Sequence, residues 1–150
     1  MKKFKFALDS VLSYKEQVLE ALQGEHAAIL AQVREQEGVL EAVWQDYRDC
    51  NEEYRQRKTE GLSIMDAMFY QNGLRALEAD IQRETDKLAE LRKQEEAKRQ
   101  EVVDAKIDTS SIEKLKEKKR ELYNKEVAKS EELLIDEFVS SARARANISA

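Results

Sequence analysis

The chain has 150 residues, a formal net charge of −5 and 38% charged residues, with no proline, four glycines, one cysteine and one histidine. That inventory excludes an intramolecular disulfide framework and the basic footprint of a nucleic-acid binder. The lack of proline and the abundance of Glu, Lys and Arg favour helix.

The start, Met1-Lys2-Lys3-Phe4-Lys5-Phe6-Ala7-Leu8-Asp9, is basic, but Asp9 interrupts the apolar stretch that a signal peptide needs. No run approaches the ~20 apolar residues of a membrane span. The expected location is cytoplasmic, or peripheral to the cell membrane through a partner, without direct membrane insertion.

From Leu12 a stripe recurs at alternating spacings of three and four: Leu12, Lys15, Leu19, Leu22, His26, Ile29, Val33, Gln36, Leu40, Val43, Tyr47, Cys50 and Tyr54. Ten of these thirteen are apolar or aromatic, where a hydrophobic fraction of 41% would give about five by chance. A 3.5-residue repeat held over this length makes helices supercoil about one another. The first helix is expected over about 8–58, roughly 75 Å long at 1.5 Å per residue.

Thr59-Glu60-Gly61-Leu62-Ser63 is the expected turn. Gly61 can adopt the left-handed conformation that ends a helix. Ser63 with Asp66 has capping-box spacing, Asp standing where Glu is usual. Asn72-Gly73 is a rival turn signal, but the stripe runs across it.

A second stripe follows: Tyr70, Leu74, Leu77, Ile81, Glu84, Leu88, Leu91, Glu95, Lys98, Val102, Ala105, Thr109 and Ile112, nine of them apolar. Disordered chains lack such a stripe, and no second apolar layer exists for a globular domain. A short connection makes neighbouring helices antiparallel. The fold class expected is therefore all-α, a single domain built as a long antiparallel two-helix coiled-coil hairpin. Its second helix, about 64–142, is the longer and ends in a frayed tail. With the turn centred near residue 61, His26 falls opposite Glu95, and the two are expected to pair.

Beyond about residue 114 the second helix outruns its partner, yet it carries Leu122, Tyr123, Val127, Leu133, Leu134, Ile135, Phe138 and Val139. The stripe shifts there, stepping by fours through Leu115, Lys119, Tyr123 and Val127. An apolar face without an internal partner marks a binding surface; the alternatives are cover by Phe4 and Phe6, or a second copy. Thr109-Ser110-Ser111 could interrupt the helix, though continuation with a local bend is expected. Towards the turn, Trp44, Tyr47, Tyr54, Phe69, Tyr70 and Leu74 form a second candidate surface with Met65 and Met68. Among these the tyrosines suit the core, and Trp44 and Phe69 suit contact.

Chemistry finds no foothold. No metal-ligand spacing surrounds Cys50, no Gly-rich loop cradles phosphate, and no nucleophile elbow occurs. His26 lies on the seam, where a structural role outweighs a ligand role, and Cys50 reads as a small buried hydrophobe. No enzyme, cofactor or metal is expected.

Three segments carry a family resemblance: Phe4-x-Phe6-x-Leu8-x-x-Val11-Leu12, then Tyr70-Gln71-x-x-Leu74-x-x-Leu77-Glu78-x-x-Ile81, then Leu115-Lys116 through Glu132 to Asp136-Glu137-Phe138. In this order and spacing they resemble the FliJ family, the small coiled-coil component of the bacterial flagellar type III export apparatus. The resemblance implies a non-enzymatic stalk similar to the central subunit of rotary ATPases. It implies binding to the hexameric export ATPase and to the cytoplasmic domain of the export-gate membrane protein, and a part in recycling export chaperones. Mapped onto this chain, Phe4, Phe6, Leu122, Tyr123, Val127, Leu134 and Phe138 would meet the ATPase. Trp44, Tyr47, Tyr54, Phe69, Tyr70 and Leu74 would meet the gate. Rival readings are the stalk of a non-flagellar type III system, a homodimeric spacer, and a prefoldin-type chaperone. The last is disfavoured because residues 59–63 are too short to hold β-strands.

Overall fold

The structure, a computed structural model, describes residues 2–149. Two helices account for nearly all of them: α1 spans Asp9–Glu60 and α2 spans Ile64–Ser149. They pack antiparallel as an all-α helical hairpin. Every position of both stripes is buried or half-buried, while the residues between are mostly exposed. The seam read from periodicity is thus the seam that forms.

Both ends of α1 follow from local chemistry. The Leu8 carbonyl accepts the first helical bond from the Leu12 amide (2.8 Å), and the Asp9 carboxylate in the first turn opposes the positive end of the helix dipole. Arg57 and Lys58 balance the other end. Gly61 then takes φ 96°, the left-handed stop. Ser63 Oγ accepts the Asp66 amide at 3.1 Å and caps α2.

Helix α2 continues past the expected end near 142 to Ser149. No proline or glycine follows Gly73 to stop it, and Ala142, Arg143, Ala144, Arg145 and Ala146 have high helix propensity. The hydroxyl cluster does not break it either. Thr109 Oγ1 donates to the Ala105 carbonyl (2.8 Å) and Ser111 Oγ to the Ile107 carbonyl (2.9 Å). This back-bonding satisfies a threonine that is only 4% exposed.

Residue packing divides the chain into two compact units. One is Glu20–Val103; the other joins the chain up to Leu19 with the chain from Asp104 onward. In the first, polar seam residues pair across the helices. His26 Nε2 lies 2.8 Å from Glu95 Oε1, with both side chains about one-fifth exposed. Gln36 donates to the Glu84 carboxylate (2.5 Å) and to its backbone carbonyl (3.1 Å). Lys98 bridges Glu101 (2.7 Å) and Glu25 (2.9 Å), and these bonds raise its pKa. Such pairs fix register, because a slipped helix would strand them on the seam.

The bond from Gln36, reinforced by Lys87 and Arg83, lowers the Glu84 pKa below the usual carboxylate value. A depressed carboxyl pKa contributes stability that is complete above the unfolded value and lost as pH falls through the folded one. Glu84→Gln is therefore expected to flatten the acid limb of the stability profile, read by urea unfolding between pH 6 and about pH 3.

Three glycines sit inside the helices without positive φ. A Cβ would meet nothing within 4 Å at Gly24 or Gly38, and only Cys50 Sγ at 3.9 Å at Gly73. Each Gly→Ala change should add about 0.5–1 kcal/mol by removing unfolded-state freedom. The triple variant is expected to unfold about 2 kcal/mol later in urea titration, the sites being far enough apart to add. Gly61→Ala, forced into left-handed φ, should do the opposite.

Candidate functional site

Within Glu20–Val103, the turn-side aromatics separate into core and surface. Tyr54 and Tyr70 are 7% and 8% exposed, and their rings stack at 5.3 Å with a 9° interplanar angle. Lys58 Nζ lies 3.9 Å from the Tyr54 ring centroid, and Gln71 donates to the Tyr54 hydroxyl at 3.3 Å. Burial, with a hydrogen bond to Glu53, raises the Tyr70 pKa. These rings join the helices, so neither is a free contact surface. Tyr47 is half-buried and bonds Glu78 at 3.4 Å, and Leu74 is half-buried on the seam.

Two aromatics of that set remain accessible. Trp44 stands edge-on to Tyr47 with ring centroids 5.8 Å apart. Phe69, edge-on to Tyr70 at 5.9 Å, is 75% exposed. Phe69 continues an exposed apolar arc of Ile64, Met65 and Met68 across the first two turns of α2. The sequence reading lacked Ile64; its place at i−1 to Met65 and i−4 to Met68 is the signal that could have found it.

In the other unit, residues 2–6 form no helix or strand and meet α2 through Lys2 and Phe4. Phe6 is buried. The Phe4 ring meets Tyr123 at 5.6 Å, and the Arg120 guanidinium sits 5.3 Å from its centroid. The Tyr123 hydroxyl donates to the Lys2 carbonyl at 2.7 Å. The start of the chain therefore covers part of the face that periodicity left open. The structure brings Phe4, Phe6 and Tyr123 together, with Leu122 lining the same groove.

The expected step of the stripe to Leu115 and Lys119 is not what forms. Lys116, Tyr123 and Val127 are the half-buried positions, whereas Leu115 and Lys119 are exposed. Lys116 lays its stem on the seam and pairs with Asp9 at 2.7 Å. A long amphipathic side chain can occupy a seam position that its charge seems to forbid.

From Ala128 to Ile148 every residue of α2 is exposed. Leu134 follows Val127 by seven residues and Phe138 follows Leu134 by four, all on one face, with Ile135 and Val139 beside them. Phe138 is 75% exposed. The face is a surface able to bury apolar area against a partner. No group of three or more potential metal ligands occurs among the described residues. No helix of the described residues is long and apolar enough to cross a membrane.

A family model described as "Flagellar FliJ protein" matches residues 4–147, nearly the whole chain. No curated protein and no solved structure matches it.

Proposed function

The chain belongs to the FliJ family of flagellar export proteins, and from that membership we propose that it is the non-enzymatic stalk of the type III export apparatus. In this reading it engages the hexameric export ATPase through the α2 face from Leu122 to Phe138. It engages the cytoplasmic domain of the export-gate membrane protein through Trp44, Phe69 and their neighbours, and it assists the cycling of export chaperones. It works in the cytoplasm, held at the membrane by these partners.

The observation that supports this most directly is the apolar face of α2 past Val127, which no other part of the described chain covers. Soluble proteins keep such a face for a partner. The physical role of a single stalk in a six-fold ring follows from symmetry. One helical hairpin cannot meet six subunits alike, so it favours some subunit conformations over others, and only such differential contact can change turnover.

The test is ATP hydrolysis by the cognate export ATPase with and without the chain, alongside sedimentation of both. Stimulated turnover with one chain per ring is the expected result. No stimulation and no co-sedimentation, with the chain forming its own dimer, would replace the stalk with a structural spacer.

A further inference from the structure

The groove between the N-terminal segment and α2 has a chemical character that the family assignment leaves unspecified. Its volume is about 1430 Å³, larger than the roughly 300–1,000 Å³ of a small-molecule site. Its apolar lining includes Leu8, Leu115 and Leu122, all exposed, and the rings of Phe4 and Tyr123.

Its charge is one-sided. Lys2, Lys3, Lys5 and Lys119 line it, Arg120 stands over Phe4, and the only acid in the lining is Glu126. Elsewhere in this unit cations meet carboxylates, as Lys15 does Asp108 and Lys116 does Asp9. Among the described residues none of the four groove lysines has such a partner. A basic cluster in a chain of net charge −5 departs from the overall composition. It is also costly by itself, because like charges held together repel.

We propose that this groove binds an acidic amphipathic peptide segment of a partner protein, its apolar side chains on Leu115 and Leu122 and its carboxylates on the surrounding lysines. The proposal deepens the reading of this face as a partner surface and rests on it. The leucines line a groove between the N-terminal segment and α2 rather than a flat face, a form that fits one peptide chain better than a bilayer. The leucines also argue against nucleic acid, which would use stacking platforms and phosphate contacts rather than aliphatic surface. An amphipathic helix uses both features at once, apolar anchors at i, i+3, i+4 and i+7 with charge along the flanks.

The test uses the full chain and three fluorescein-labelled synthetic helical peptides of about 18 residues, roughly five turns. One has leucine at the anchor positions and glutamate on the flanks. The second replaces each glutamate with lysine, and the third keeps the glutamates but replaces leucine with serine. Fluorescence anisotropy should show saturable binding of the first, weakening as salt screens the lysines. The other two should bind at least tenfold more weakly.

The variant Lys3→Glu/Lys5→Glu/Lys119→Glu should lose tenfold or more for the first peptide. All three positions are exposed, so helix content by circular dichroism should be unchanged. Leu122→Ala should weaken the same peptide without altering its salt dependence. Equal binding of the glutamate and lysine peptides would overturn the proposal, as would unchanged affinity in the triple variant. Binding of the serine peptide as tight as the leucine one would also overturn it, leaving a general anion patch. ATPase stimulation is read separately. A chain that stimulates the ATPase yet ignores the acidic peptide keeps the stalk and loses the groove ligand; the reverse pattern keeps the ligand and loses the stalk.

Discussion

Leu88→Ala is expected to lower the unfolding free energy by about 2–3 kcal/mol, the largest loss from truncating any aliphatic side chain of the seam. Leu88 is 5% exposed, the least of the apolar side chains in the core. Truncating a buried leucine forfeits its transfer free energy and leaves a cavity, together about 2–5 kcal/mol in globular cores. Two helices enclose a side chain less completely than a globular core does, and water reaches the gap, so the lower half of that range applies. Even this is a large share of a total of about 5–15 kcal/mol. Urea unfolding followed by circular dichroism at 222 nm measures it directly. Leu133→Ala is the control: Leu133 is 57% exposed, and surface substitutions usually stay within about 0.5 kcal/mol. A loss at Leu88 no greater than at Leu133 would show that the helices do not pack through this seam.

That seam was legible because burial in a two-helix coil depends on little besides spacing. Leu12, Val33, Ile81 and Leu88 fall where the three-four rhythm puts them, and so do the polar exceptions His26, Gln36, Glu84 and Glu95. The turn was legible for a different reason: Gly61 and Ser63 carry backbone requirements that few other residues meet. Opposing His26 to Glu95 needed only the turn position and an unbroken register.

The regions harder to read are those where a side chain plays two parts or the chain leaves the repeat. Lys116 counts as polar in any pattern, yet its methylenes serve the seam while its ammonium reaches Asp9. Docking of Phe4 and Phe6 on α2 depends on a segment outside the helices that has no periodicity to read. Tyr54 and Tyr70 look alike as core or as contact, and only their stacking assigns them to the core. The end of α2 lacks a stop signal, so the helix runs on through alanine and arginine.

In the proposed role as a stalk the chain must hold its register under load, and the Glu20–Val103 unit devotes seam positions to polar pairs at His26, Gln36, Glu84, Glu95 and Lys98. Each gives up apolar burial in exchange for a penalty on slippage. The unit containing the far end of α2 has the opposite character, with leucine, isoleucine, phenylalanine and valine left in solvent. Rigidity is thus built where the chain binds itself, and exposed apolar area where it is proposed to bind others.

The variant Leu134→Glu/Phe138→Glu should therefore separate folding from function. Both side chains are exposed, so stability should change by no more than about 0.5 kcal/mol. Burying a leucine or phenylalanine against a partner is worth about 1.5–3 kcal/mol each, and about 1.4 kcal/mol is tenfold in affinity. Losing both, with two carboxylates placed in an apolar contact, should weaken co-sedimentation with the ATPase ring by about a hundredfold or more. Stimulation of ATP hydrolysis should fall with it. Binding to the cytoplasmic domain of the export gate, proposed to use Trp44 and Phe69, should persist. Lys129→Glu, at an exposed position on the far side of the helix from Leu134 and Phe138, should spare both contacts and so exclude a general effect of added charge. If the double variant keeps the ATPase and loses the gate, the two surfaces exchange partners. If it loses neither, the exposed face of α2 is not the ATPase contact.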